Sequence, residues 1–132
     1  MWAQIMLLML VMSSVSGATG FILQKKRTIN ITNELGTNNE LRLHCKSKND
    51  DLGEQLLPYK GFWYFKFRPN FWGTTDFYCS MSWEQVSHSF DIYVDSRDDL
   101  KCFVCQWIIQ ATGPCLWNKD TQQFDICFPW NE

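Results

Sequence analysis

Six cysteines, Cys45, Cys79, Cys102, Cys105, Cys115 and Cys127, follow an apolar, uncharged leader in this 132-residue chain, and no charged side chain precedes Lys25. The leader carries the run Ile5 to Met12 (IMLLMLVM), followed by the small and polar residues Ser13 to Gly20. That order is the pattern of a secretory signal peptide over residues 1–20, with cleavage expected between Gly17 and Phe21. The apolar run is well short of the ~20 residues needed to cross a bilayer, so a membrane anchor fits less well. With no further long apolar segment, no membrane insertion is expected and the product should be released outside the cell. An even set of cysteines in an exported chain reads as three disulfides, although spacing alone leaves the pairing open. The mature part, residues 21–132, is expected to be one domain. At that size the core is adequate but not generous, so a bridge contributing about 2–4 kcal/mol is a large share of total stability.

The mature sequence alternates with a period of two. Ile29 and Ile31 share one face of Thr28 to Thr32, and Leu41, Leu43 and Cys45 share one face of Leu41 to Lys46. Trp63, Phe65 and Phe67 form a third set, and Phe77, Cys79, Met81 and Trp83 a fourth. Phe90 to Val94, Cys102 to Gln110 and Phe124 to Phe128 complete some seven short strands separated by polar turns, while no stretch keeps a helical period. The expectation is an all-β fold, a small disulfide-stabilised β-sandwich.

Several motifs invite chemistry. Asn30-Ile31-Thr32 is an N-glycosylation sequon, and the parity that buries the two isoleucines turns Asn30 outward. Cys102-Phe103-Val104-Cys105 has the spacing of a redox dithiol or half a zinc site. Such a dithiol needs a thiolate stabilised, commonly at a helix N-terminus, whereas the segment reads as a strand. On a regular strand these two cysteines point to opposite faces, which predicts different partners for them. The turn Lys46 to Gly53 offers oxygen ligands, but its spacing is not that of a calcium loop. Most aromatic residues fall on inward parity, whereas Phe62, Tyr64 and one of the adjacent pair Phe71 and Trp72 do not, leaving them to be covered by a loop or exposed to a partner. The two histidines, His44 and His88, read as surface residues, and no nucleophile elbow or phosphate loop is present. The sequence calls for no enzyme activity, cofactor or metal. A net charge of -2 gives no reason to expect nucleic acid as a partner.

The order of segments resembles the plant self-incompatibility S-protein homologue family. The residues that carry the resemblance are Leu43-His44-Cys45-Lys46-Ser47-Lys48 with Asp50-Asp51-Leu52-Gly53, Phe71-Trp72-Gly73-Thr74-Thr75 leading to Phe77-Tyr78-Cys79, and Phe90-Asp91-Ile92-Tyr93. Cys102-x-x-Cys105-x-Trp107, Gly113-Pro114-Cys115 and Phe124-Asp125-Ile126-Cys127 continue it nearly to the end. Asn49 and Asp76 depart from the usual residues, the second on outward parity. The resemblance implies a secreted, non-enzymatic recognition ligand for a cell-surface receptor, with a role in pollen–pistil self-incompatibility or related plant signalling. Candidate recognition residues are then Lys48, Asp50 and Asp51 in one charged turn, and Asp95, Arg97, Asp98 and Asp99 in another. A secreted defence or glycan-binding protein, using exposed aromatic residues, is the alternative.

Overall fold

In the computed structural model, residues 24–131 are described, and the leader expected over residues 1–20 lies outside them. Alternating burial organises the strands. In β1 (Arg27–Asn33) every second side chain is buried, and Ile29 and Ile31 are inaccessible to solvent. The strand runs one residue beyond the apolar pattern at each end, so the same parity draws Arg27 and Asn33 inward. β2 (Leu41–Lys46) buries Leu41, Leu43 and Cys45, and β5 (Asp76–Trp83) buries Phe77, Cys79, Met81 and Trp83. The remaining strands are β3 (Asp51–Leu57), β4 (Phe62–Phe67), β6 (Val86–Val94), β7 (Val104–Gln110), β8 (Gly113–Asn118) and β9 (Gln123–Cys127), with a single four-residue helix, α1 (Asp95–Asp98), among the described residues.

The strands form two sheets, of order β4-β1-β7-β8-β9 and β3-β2-β5-β6. All pairings are antiparallel except β1 with β7. The two inner faces meet through aromatic rings: Phe65 and Phe67 lie 5.0 and 4.6 Å from Phe77, and Phe90 lies 5.2 Å from Trp107 in an edge-on contact. This is the β-sandwich expected from the sequence.

All six cysteines are paired. Cys45–Cys79 joins β2 to β5 and Cys115–Cys127 joins β8 to β9, each at directly opposed positions of the ladder. The third bridge, Cys102–Cys105, corrects the expectation that these two have different partners. Strand parity fails there because β7 starts only at Val104, so Cys102 sits in the preceding turn, its N–H directed at the Asp98 carbonyl at 3.4 Å. A residue in a turn is not bound to alternate with the strand that follows.

Two strands, β3 and β8, occupy segments not assigned as strands from the sequence, β3 starting inside the turn read over Lys46 to Gly53. β3 begins at Asp51 because Asp51 accepts from the Gly53 N–H at 2.9 Å and lies 2.5 Å from His44 Nε2 on the neighbouring strand, across a bulge between His44 and Lys46. Gly53 adopts a φ of +82°, which favours a residue without Cβ. β8 runs through Gly113-Pro114-Cys115, where Pro114 needs only its carbonyl, accepting from the Phe128 N–H at 3.0 Å. A Cβ at Gly113 would collide with the Phe128 carbonyl.

Candidate functional site

Strand registers bring four connections to one end of the sandwich: the turn after Lys46, the crossing segment between Phe67 and Asp76, the segment from Asp95 to Phe103, and the turn after Asn118. This end carries every charged residue singled out from the sequence. The structure divides those residues into two groups with different work.

Asp95, Arg97 and Asp98 form an internal support instead of a solvated loop, and Asp99, itself exposed, pairs with a buried arginine. Asp95 and Asp98 are buried, at 7% and 3% exposure. Tyr93, fully buried, donates its phenol O–H to Asp95 Oδ1 at 2.7 Å. Burial first, and then the Asp95 carboxylate, raise the phenol above its ordinary range. Arg97 grips its neighbour Asp98 in a fork, Nε to Oδ1 at 2.8 Å and Nη2 to Oδ2 at 2.7 Å, and also donates to the Asp91 carbonyl at 2.9 Å. Its guanidinium lies 5.0 to 5.3 Å from the ring centres of Phe90, Trp107 and Phe128. Asp98 Oδ2 also accepts the Val94 N–H at 3.0 Å, which ties the last residue of α1 back to the end of β6. Asp99 pairs at 2.9 Å with Arg27, whose side chain is only 1% exposed and stacks over Phe103 at 4.4 Å. Charged spacing signalled a loop, while the signal for burial, an arginine at inward parity just before Ile29, lay at a strand end outside the apolar pattern.

The first turn is different. Lys48 and Asp50 are exposed and line an open cleft of about 710 Å³ between the turn Ser47 to Asp50 and the segment Asn70 to Thr75. Lys66, Arg68, Asp76 and Tyr78 complete its walls. Asp51, exposed beside the cleft, is held below the usual carboxylate range by its hydrogen bond to His44, helped by the Gly53 N–H. Asp76 behaves oppositely: burial, and then the nearby Asp91 charge, push its carboxyl up, and its Oδ1 is buried without a hydrogen bond. Lys48, Lys66 and Arg68, from two chain segments, thus line the same cleft as this acid.

The crossing segment also projects an aromatic tip. Asn70 ties the loop with its side-chain oxygen accepting the Thr74 N–H at 3.0 Å and its own N–H donating to Thr75 Oγ1 at 2.7 Å. Gly73 turns with φ +74°. Phe71 and Trp72, at 63% and 79% exposure, are left packed edge-on against each other at 5.0 Å. Lys66, Arg68 and Asn70 were not singled out from the sequence, because only the crossing between sheets sets them opposite the turn at Lys48. A second cleft, of about 410 Å³, is lined by Arg97, Asp98, Trp117, Lys119 and Asp120 among others.

Among the described residues there is no group of three or more His, Cys, Asp or Glu side chains placed to hold a metal ion. No described helix is long and apolar enough to cross a membrane. Asn30 is half-buried on the outer face of the five-stranded sheet.

Comparison with known proteins gives a consistent match. The family model for plant self-incompatibility protein S1 matches residues 28–130. S-protein homolog 2 of Arabidopsis thaliana is 50% identical over 112 residues, covering 81% of this chain and 70% of the relative. S-protein homolog 3 of the same plant is 45% identical over 109 residues, covering 80% and 73%. A solved structure of a self-incompatibility protein homologue, from a widespread family of small, highly stable, secreted plant proteins, superposes with a TM-score of 0.60 at 20% identity, covering 83% of this chain and 97% of that one. That likeness is one of fold.

Proposed function

The chain belongs to the plant self-incompatibility protein S1 family, and from that premise we propose that it is a secreted, non-enzymatic ligand whose cleft end engages a cell-surface receptor protein. The observation that carries this reading is the cleft at Lys48, Asp50, Lys66, Arg68 and Asp76 with the Phe71–Trp72 tip beside it. An exposed aromatic pair rimmed by charges of both signs is the composition of a protein-binding hot spot. The charges set encounter rate and partner choice, and the aromatic rings supply the apolar area that slows dissociation. The bridges and the part-buried Arg97–Asp98 and Arg27–Asp99 pairs hold this end in place, which lowers the entropic cost of binding. The expected setting is cell signalling in plants, pollen–pistil recognition included.

Glycan recognition in defence is the second reading, favoured by the same two rings. Their edge-on packing, with planes at 68°, does not make the flat platform that a sugar stacks on, so a protein partner fits better. Binding of the labelled protein to plant cells before and after surface proteolysis, run beside a glycan array, separates the two. Saturable binding that proteolysis abolishes supports a receptor, and glycan binding with protease-resistant cell binding overturns it.

A further inference from the structure

The outer face of the five-stranded sheet is apolar and open. Phe62, Tyr64 and Val104 are 61%, 54% and 58% exposed there. The register places the sequon in the middle of this patch. Asn30 stands directly opposite Tyr64 on β4, and Thr32 directly opposite Phe62. On the other side Asn30 faces Gln106 of β7, and Thr28 faces Val104. Directly opposed side chains on one face of an antiparallel pair lie about 4.5–5.5 Å apart at Cβ, so both outward residues of the sequon have an exposed aromatic ring as neighbour.

We propose that Asn30 carries an N-linked glycan whose first N-acetylglucosamine lies over the rings of Tyr64 and Phe62. The proposal rests on the export contained in the reading above, since the modifying enzyme acts in the secretory pathway. In the transfer, Asn30 Nδ2 displaces pyrophosphate from C1 of a lipid-pyrophosphate-linked oligosaccharide. The Nδ2–C1 bond forms, the C1–O bond breaks, the lipid pyrophosphate leaves with the bonding electron pair, and the amide proton passes to that phosphate. Asn30 is half-buried and its Oδ1 lies beneath the surface without a hydrogen bond. A sugar on Nδ2 must therefore emerge between the side chains that flank it, and Tyr64 is the direct neighbour on the β4 side. The C–H face of a pyranose carries partial positive charge and meets the negative face of an aromatic ring favourably. The occupant of this exposed patch is then the chain's own glycan, tethered at its centre, which leaves the cleft end of the sandwich free for the receptor.

The test uses the full chain expressed in plant cells with its own leader. Secreted protein is analysed by intact mass and peptide mapping before and after a peptide-N-glycosidase that converts the modified Asn30 to Asp. The proposal expects a glycan at Asn30 that disappears in Thr32→Ala; secreted protein unmodified at Asn30 overturns it. Failure to reach the medium at all overturns the export reading instead. The second arm compares melting temperatures of protein trimmed to a single N-acetylglucosamine and protein fully deglycosylated. The single sugar should raise the midpoint by a few degrees in the wild type, and the increment should vanish in Tyr64→Ala. Tyr64→Leu, which keeps apolar cover without a π face, should lose it too if the alanine variant does not fold. An equal increment in wild type and variant, or none in the wild type, refutes the stacking.

Discussion

Replacing Asp98 by alanine separates a structural plug from a recognition loop. Asp98 is only 3% exposed, and its carboxylate accepts three hydrogen bonds: two from Arg97 at 2.8 and 2.7 Å and one from the Val94 N–H at 3.0 Å. Alanine leaves a part-buried amide unpaired, a loss of about 1–3 kcal/mol. It also leaves the Arg97 guanidinium under three aromatic rings with only the Asp91 carbonyl as partner. Breaking a fully buried pair costs about 3–5 kcal/mol, but the Arg97 side chain is 23% exposed and water relieves part of that. Together these give about 3 kcal/mol, which at a urea slope near 1.5 kcal/mol/M lowers the unfolding midpoint by about 2 M. Arg97→Met keeps the stem on the rings and removes the charge, so the double variant should cost clearly less than the sum of the two single ones. A solvated loop would give changes within about 0.5 kcal/mol and additive effects. Either result refutes the buried role assigned to residues 95–98.

The bridges should rank by the length of chain they close. Replacing both cysteines by alanine should cost about 4 kcal/mol for Cys45–Cys79, about 3 for Cys115–Cys127 and about 2 for Cys102–Cys105, from sequence separations of 34, 12 and 3; equilibrium unfolding of the three variants checks the order. Asp76 has a folded-state pKa above its ordinary 3.8 because burial disfavours its charge. The folded state therefore holds this proton more tightly than the unfolded one, and the group's contribution to stability falls as pH rises through its folded pKa. Asp76→Asn should melt higher than wild type at pH 7 and equally below pH 3.8, and a midpoint difference that grows on acidification contradicts the assignment. Phe71→Ala with Trp72→Ala should leave the melting temperature unchanged, since both rings are exposed, while cell binding falls at least about tenfold.

The sequence disclosed most of the sandwich because period-two burial is a local signal. Ile29 and Ile31, or Cys79 and Met81, report their face without knowledge of the partner strand. What it concealed depends on contacts between distant segments. Cys102 was assigned to a strand because Val104 to Gln110 is one, and the turn that frees it is set by Asp98. Arg97 and Asp98 read as solvated because their cover comes from Phe90, Trp107 and Phe128, rings contributed by three other segments. Asp51 read as a turn residue until its pairing with His44 across the bulge made it the first residue of β3. Lys48 and Asp50 were visible as a charged turn. The cleft they line was not, since Lys66 belongs to the other sheet and Arg68 and Asn70 to the segment that follows β4.

The central claim, that the cleft end meets a protein receptor, is tested most directly by equilibrium binding of the labelled, secreted protein to plant cells. Wild type should bind saturably, and Trp72→Ala and Lys66→Glu should each weaken binding at least about tenfold. Gln85→Ala, in the exposed β5–β6 turn at the far end, should bind as wild type. Binding that does not saturate, or that survives both cleft-end substitutions unchanged, contradicts the account.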